Sequence, residues 1–142
     1  MITEKEFQKN LAILRDRLEE ACSFSNRSVE EVQILPVTKN WPVQAVHYAQ
    51  RAGFVRIGEN RVQVALEKKS SIEGMEWDLI GHLQSNKAKD AVNLFDYIHS
   101  VDNEKLARKI SEEDRKINKK TKIFIQVNIG NEQQKFGANK ST

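Results

Sequence analysis

The sequence alternates short apolar segments with stretches of helical periodicity, and this alternation constrains the fold more than any other feature. Five segments have the apolar, β-branched and aromatic composition of buried strands. They cover residues 32–38, 54–58, 76–81, 97–101 and 122–129. A helical pattern separates most of these segments, and parallel neighbours in a sheet need a crossover connection at each step. The chain is therefore predicted to form an α/β fold around a parallel sheet.

Helix signals lie between the predicted strands and also precede the first one. Apolar residues spaced three and four apart predict a helix at the N-terminus, over about residues 3–22, with Thr3 and Glu6 as a capping box. A last helix is expected after Asp102, which is its predicted N-cap. Pro36 is discordant within the first predicted strand, because proline withholds a ladder hydrogen bond. The other helices are expected over residues 42–51, 60–69 and 85–93.

Two parallel architectures accommodate this order of elements. One is a doubly wound open sheet, and the other is part of a (β/α)8 barrel, whose complete form takes about 250 residues. No glycine-rich phosphate loop follows the first predicted strand, which disfavours a dinucleotide-binding fold. The polar residues at the strand ends favour the barrel. We expect residues 1–142 to form a single domain, a partial barrel of about five strands with an extra N-terminal helix.

Composition excludes several classes of protein. The 23 basic and 20 acidic residues are interspersed, so nucleic-acid binding is disfavoured. No apolar stretch approaches the roughly 18 residues of a membrane span, and no secretory signal is recognisable. The one cysteine, Cys22, provides neither an internal disulfide nor a metal cluster. These features predict a soluble protein in the reducing environment of the cytoplasm.

Polar residues follow each predicted strand, where parallel architectures bind their ligands. In chain order they are Lys39, Glu59, Asn60, His82, Gln84, Ser100 and Asn128. Lys39 follows an apolar run that favours its neutral form, and a neutral amine attacks aldehydes, so Lys39 is a candidate for Schiff-base formation. The alternative is a lysine that only extends from the strand end into water.

The other strand-end residues also have structural alternatives. Asn60 suits the N-cap of the helix after it, and His82 suits a hydrogen-bonded structural role, since no second metal ligand accompanies it. The stretch from Gln84 to Lys87 suits a helix start whose N–H groups face an anion.

Four segments resemble one family in the same order along the chain. They read ILPVTKNWP, IGENRVQ, WDLIGHLQSNK and IQVNIGNEQQKFG and spread over residues 32–137. The chain thereby resembles the YggS/PROSC family of pyridoxal phosphate homeostasis proteins. The resemblance implies a barrel like the N-terminal domain of alanine racemase. It also implies pyridoxal 5′-phosphate (PLP) bound as a Schiff base to Lys39.

The same resemblance implies further site residues and a role. By position, Asn60, His82, Gln84, Asn86 and Asn128 would lie around the cofactor or support the rim. Lys135 would provide a second amine that assists transfer of the aldehyde. Family members look like carriers or buffers that supply PLP to dependent apo-enzymes, without established catalytic turnover.

Two departures from the family pattern bear on these expectations. Many members carry a lysine where this chain has Trp41. Members also continue through three more strands that contain the motifs around the cofactor phosphate, so we expect exposed sheet edges and self-association here. Two alternative functions remain: a racemase-like enzyme that uses Lys39, and a fragment that does not bind the cofactor. The enzyme would need a second acid or base over the substrate, and no tyrosine or cysteine stands at an obvious strand end.

Overall fold

A four-stranded parallel sheet forms the centre of the computed structural model, which describes residues 2–139. The strands are β1 (Arg56–Glu59), β2 (Glu76–Leu79), β3 (Tyr97–Val101) and β4 (Lys122–Ile125). They stand side by side in the order in which they occur in the chain. The predicted α/β fold with a parallel sheet is confirmed.

Over residues 2–139, five α-helices surround the sheet or precede it. They are α1 (Glu4–Phe24), α2 (Val43–Arg51), α3 (Val62–Lys69), α4 (Ala88–Leu94) and α5 (Glu104–Lys116). Short 3₁₀ turns cover Val29–Glu31 and Ser85–Lys87. The predicted capping box of α1 is confirmed, because the Thr3 hydroxyl accepts from the Glu6 N–H and the Glu6 carboxylate accepts from the Thr3 N–H. Within residues 2–139, every helix is too short or too polar to cross a membrane.

The prediction of a first strand over residues 32–38 is wrong. Among the residues that the structure describes, its one ladder contact is a parallel bridge between Val37 and Gly58. The Gly58 N–H donates to the Pro36 carbonyl at 2.8 Å, and the Thr38 N–H donates to the Gly58 carbonyl at 3.0 Å. The next ladder bond toward the start of β1 would need an N–H on residue 36, and proline has none. The segment therefore lies beside β1 without forming a fifth strand.

Other boundaries also differ from the sequence prediction. The segment 122–129 forms a strand only as far as Ile125, which pairs with Val101, the last residue of β3. Beyond β4, Val127 makes an isolated parallel bridge with Ala138.

Helix starts differ as well. Asn103, and not Asp102, caps α5, since its Oδ1 accepts from the Leu106 N–H at 2.9 Å. Arg61, and not Asn60, precedes the first residue of α3, and it makes no side-chain cap.

The two faces of the sheet differ in polarity. Ile57, Trp77, Leu79 and Ile98 are fully buried in the hydrophobic core. Side chains alternate along a strand, so the residues next to them in sequence lie on the opposite face.

On this opposite face, Arg56, Asp78 and His99 form a polar cluster. The Arg56 Nη2 donates to Asp78 Oδ2 at 2.5 Å, and His99 Nε2 lies 2.7 Å from the same oxygen. The Arg56 guanidinium also lies 3.5 Å from the centroid of the Tyr97 ring. The part of this face around Asp78 is therefore polar.

Candidate functional site

Three of the predicted site residues line one cleft at the carboxyl edge of the sheet. Asn60 follows β1, and His82 and Gln84 follow β2. The cleft has a volume of about 430 Å³, and Arg61 and Lys87 also line it. Because β1 and β2 are parallel neighbours, their carboxyl ends meet at this edge. The cleft combines the cations Arg61 and Lys87 with amide side chains, an imidazole and the Asp90 carboxylate, and its remaining positive charge suits an anionic ligand.

Lys39 lies in an exposed turn that follows the bridge to β1 and does not line this cleft. The Trp41 N–H donates to the Thr38 carbonyl at 3.1 Å, and Asn40 has a left-handed φ of 63°. Within residues 2–139, the Lys39 amine makes no hydrogen bond or ion pair. The desolvation expected from the preceding apolar run does not extend to this side chain, because the turn carries it into solvent.

A buried polar cluster of Thr38, Glu59 and Lys68 anchors this turn. The Thr38 hydroxyl donates to Glu59 Oε1 at 2.6 Å, and Lys68 Nζ donates to the Thr38 carbonyl at 2.8 Å. Lys68 also forms an ion pair with Glu59. Sequence reasoning missed Lys68. The available signal was that Lys68 follows Ala65 by three residues on the buried face of α3.

The loops that carry Asn60 and His82 approach each other closely. A Cβ on Gly81 would lie 2.0 Å from the Asn60 carbonyl oxygen, so only glycine fits there. The Ser100 hydroxyl donates to the Gly81 carbonyl at 2.6 Å, and Ser100 is itself buried. The β1, β2 and β3 ends are thereby tied together.

His82 stacks on Phe136, which sequence reasoning also missed. The ring centroids are 3.6 Å apart, and the ring planes are inclined by 10°. The His82 Nδ1 lies 3.9 Å from an Asp102 carboxylate oxygen, and 31% of the His82 side chain is exposed. The segment after β4 therefore returns to the rim and covers one face of the imidazole.

The remaining predicted site residues do not line the cleft. The Asn128 Nδ2 donates to the Glu132 carbonyl at 2.9 Å, which folds the loop after β4. The Lys135 Nζ is paired with the Glu132 carboxylate at 2.6 Å. Asn86 lines a different depression, together with Lys105 and other residues of α5. In the part of the chain that the structure describes, no cluster of three or more histidine, cysteine, aspartate or glutamate side chains suits a metal ion.

A family model described as "Alanine racemase, N-terminal domain" matches residues 5–141 of the chain. The pyridoxal phosphate homeostasis protein of Haemophilus influenzae is 35% identical over 134 residues, which are 92% of this chain and 56% of that protein. The protein of the same name from Escherichia coli is 35% identical over 133 residues, 90% of this chain and 57% of that one.

A solved structure is similar in fold as well as in sequence. PipY of Synechococcus elongatus, with PLP bound, superposes with a TM-score of 0.71 at 35% identity. The superposition covers 85% of this chain and 57% of PipY. The chain thus spans a little over half the length of the relatives it matches.

Proposed function

Since the chain belongs to the alanine racemase N-terminal domain family, we propose that it binds PLP and contributes to PLP homeostasis. The family and fold inferred from the four sequence motifs are confirmed. The observation that carries the proposal is the position of Lys39, an accessible amine on an anchored turn in the first of those motifs. Relatives named pyridoxal phosphate homeostasis protein and the PLP-bound PipY support it.

Lys39 is the residue that we propose to hold PLP covalently. PLP supplies an aldehyde, which a lysine amine captures reversibly as a Schiff base, so that it is sequestered without being consumed. Within residues 2–139 this exposed amine has no internal partner, so no ion pair has to be broken before its neutral form attacks the aldehyde. The residues present therefore fit the aldehyde end of the cofactor.

The cleft residues Asn60, His82 and Gln84 would hold the rest of the ligand. Arg61 and Lys87 line the same cleft beside Asp90 and offer positive charge to an anionic part of the ligand. Asn128 supports the rim indirectly, by folding the loop that brings Phe136 onto His82. Asn86 stays a proposed supporting residue on the neighbouring 3₁₀ turn.

We assign the protein a carrier or buffer role without catalytic turnover. Relatives are named as homeostasis proteins and not as enzymes, which favours this role over a racemase. PLP-dependent apo-enzymes are the proposed acceptors. Lys135 is the proposed second amine in the transfer, and it has to leave its ion pair with Glu132 to act.

Borohydride reduction after incubation with PLP tests the proposal at Lys39. Reduction converts a Schiff base into a stable secondary amine, which peptide mass mapping then locates. We expect the label on Lys39, and we expect Lys39→Ala to abolish it while Lys135→Ala retains it. Label scattered evenly over surface lysines, or no label at all, contradicts PLP binding at Lys39.

Transfer to an acceptor tests the carrier role separately. The PLP-loaded chain is mixed with an apo-enzyme, and the recovery of that enzyme's activity is followed over time. We expect activation without racemisation of alanine by the chain itself, and slower activation with Lys135→Ala. An unchanged transfer rate in that variant removes Lys135 from the proposal, and measurable racemisation contradicts the carrier role.

A further inference from the structure

A buried ion pair lies directly beneath the turn that carries Lys39. The Glu59 side chain is 0% exposed and the Lys68 side chain 8% exposed. We propose that Glu59 and Lys68 are positioning residues, which fix the backbone before Lys39 and so direct its amine toward the ligand. This inference rests on the proposed function of Lys39 and names the residues that prepare it.

The ion pair between Glu59 and Lys68 holds Thr38 in place more than it stabilises the fold. Removing two charges from water is costly, and apolar residues of similar volume often stabilise a fold better. Here one carboxylate oxygen, Glu59 Oε2, is buried without a hydrogen-bond partner among the described residues. The other oxygen and the ammonium both bind Thr38. A costly pair whose polar contacts converge on one residue indicates that the placement of Thr38 matters.

Thr38 is held at three of its polar atoms. Its N–H donates to the Gly58 carbonyl at 3.0 Å, its hydroxyl donates to Glu59 at 2.6 Å, and its carbonyl accepts from Lys68 at 2.8 Å. The carbonyl carbon of Thr38 belongs to the same planar peptide group as the nitrogen of Lys39. The anchored carbonyl therefore fixes the plane of this peptide group and the position of the Lys39 Cα, from which the side chain extends.

The neighbouring residue Lys69 provides a matched control. It lies on the same helix, and its Nζ donates to the Leu94 carbonyl at 2.7 Å, at the end of α4. Lys69→Met therefore removes a partly buried lysine and one hydrogen bond without touching the turn. Any effect that both lysine variants share reports general stability and not positioning.

Three variants test the proposal: Thr38→Val, Lys68→Met and Lys69→Met. Lys68→Met leaves the Glu59 carboxylate buried without a cation and endangers folding. Thr38→Val is therefore the decisive variant, because it removes one hydroxyl and keeps the β-branched shape. Circular dichroism and the thermal midpoint establish that each variant is folded before it is used.

The first readout needs no PLP. Hydrogen exchange of the Trp41 amide, which donates to the Thr38 carbonyl, reports whether the turn stays closed. The second readout is the fraction of borohydride-fixed label on Lys39 relative to the other lysines. We expect faster exchange and a label fraction that is roughly fivefold lower for Thr38→Val and about tenfold lower for Lys68→Met. Lys69→Met is expected to leave both readouts unchanged.

The outcomes separate this inference from the proposed function. If the unsubstituted chain is not labelled at Lys39, the proposed function fails, while the exchange readout still decides whether the pair holds the turn. If Lys39 is labelled in the unsubstituted chain and Thr38→Val changes neither readout, the positioning role is overturned on its own. Equal losses in Lys68→Met and Lys69→Met overturn it as well.

Discussion

At the scale of single residues, the carboxyl edge depends on a close approach between two loops. The Gly81 Cα lies so near the Asn60 carbonyl that a Cβ would be 2.0 Å from its oxygen. A backbone atom cannot rotate away as a side chain can, so one of the two strand ends would have to move. The position of Asn60 relative to His82 therefore depends on a residue without a Cβ at position 81.

Substituting Gly81 by alanine should disturb this edge. We expect Gly81→Ala to lower the free energy of unfolding by about 1–3 kcal/mol, the usual cost of overpacking. Urea unfolding measures the loss. Gly130→Ala is the matched control, because its added Cβ would meet only the flexible Glu132 side chain, at 3.3 Å. Equal stability in the two variants contradicts the close approach.

Another residue-scale prediction concerns pH. A hydrogen bond from Lys116, followed by one from Lys109, holds the pKa of Glu113 below its ordinary value of 4.5, although burial opposes this shift. A lowered pKa in the folded state stabilises the fold above pH 4.5, and this stabilisation is lost as the pH falls through the lowered value. We expect Glu113→Gln to lose less stability than the unsubstituted chain between about pH 6 and about pH 3.

Denaturant midpoints over that pH range test the Glu113 prediction. The comparison variant is Glu112→Gln. The Glu112 side chain is 57% exposed, and within the described part of the chain its carboxylate pairs with Lys109 alone. We expect the pH dependence of Glu112→Gln to stay close to that of the unsubstituted chain. If Glu113→Gln instead keeps the full acid dependence, the Glu113 carboxylate does not contribute as described.

At the scale of elements, the start of α5 shows what a cap does. Asp102 and Asn103 are adjacent and both are good N-cap residues. Only Asn103 accepts from the Leu106 N–H, while Asp102 accepts from the Asn103 side chain at 2.7 Å. Asn103→Ala should therefore cost about 1 kcal/mol in unfolding free energy. Asp102→Ala should lower the unfolding free energy clearly less. Thermal unfolding of the two variants side by side measures both losses, and a larger loss in Asp102→Ala contradicts the assignment of Asn103 as the cap.

The sequence predicted the elements better than their ends. Apolar, β-branched runs predict strands, and β1 to β4 were recognised in this way, although the side chains of β4 are exposed. Pro36 was noted as discordant, yet its effect depends on which carbonyl the next ladder position would face. Likewise, nothing in the adjacent pair Asp102 and Asn103 indicates which one has the extended backbone of a cap.

The site was predictable only where it follows from strand ends. Asn60, His82 and Gln84 converge because parallel strands end at one edge of the sheet. The sequence shows this, because each of these residues closely follows a recognisable strand. Lys68 and Phe136 come from a helix face and a returning loop. The return of Phe136 depends on Gly137, which has a φ of 132° and lies so close to Asn128 that a Cβ would be 2.6 Å from its backbone nitrogen. The spacing from Ala65 indicated the face of α3 on which Lys68 lies, but local sequence indicated neither its contact with Glu59 nor the return of Phe136.

At the scale of the whole molecule, the open edge of the sheet is the outstanding feature. Among the described residues, β4 pairs with β3 on one side only. Its residues Ile123, Phe124 and Ile125 are all exposed, and Ile125 is 70% exposed. An apolar edge strand with unpaired backbone groups is a template for pairing with another chain. We therefore predict that the self-association expected from the sequence takes place through the β4 edge.

Sedimentation velocity over a range of protein concentrations tests this location. We expect association that strengthens with concentration, and we expect Ile125→Lys to weaken it, because a charged edge residue resists pairing and removes apolar surface. Phe24→Lys is the control: Phe24 is 94% exposed, more than Ile125, but it is the last residue of α1 and lies outside the sheet. If exposed apolar area alone drove association, Phe24→Lys would weaken it at least as much.

The outcomes of this experiment are distinct. Weakening confined to Ile125→Lys identifies the β4 edge as the interface, whereas a monomer at every concentration contradicts the prediction.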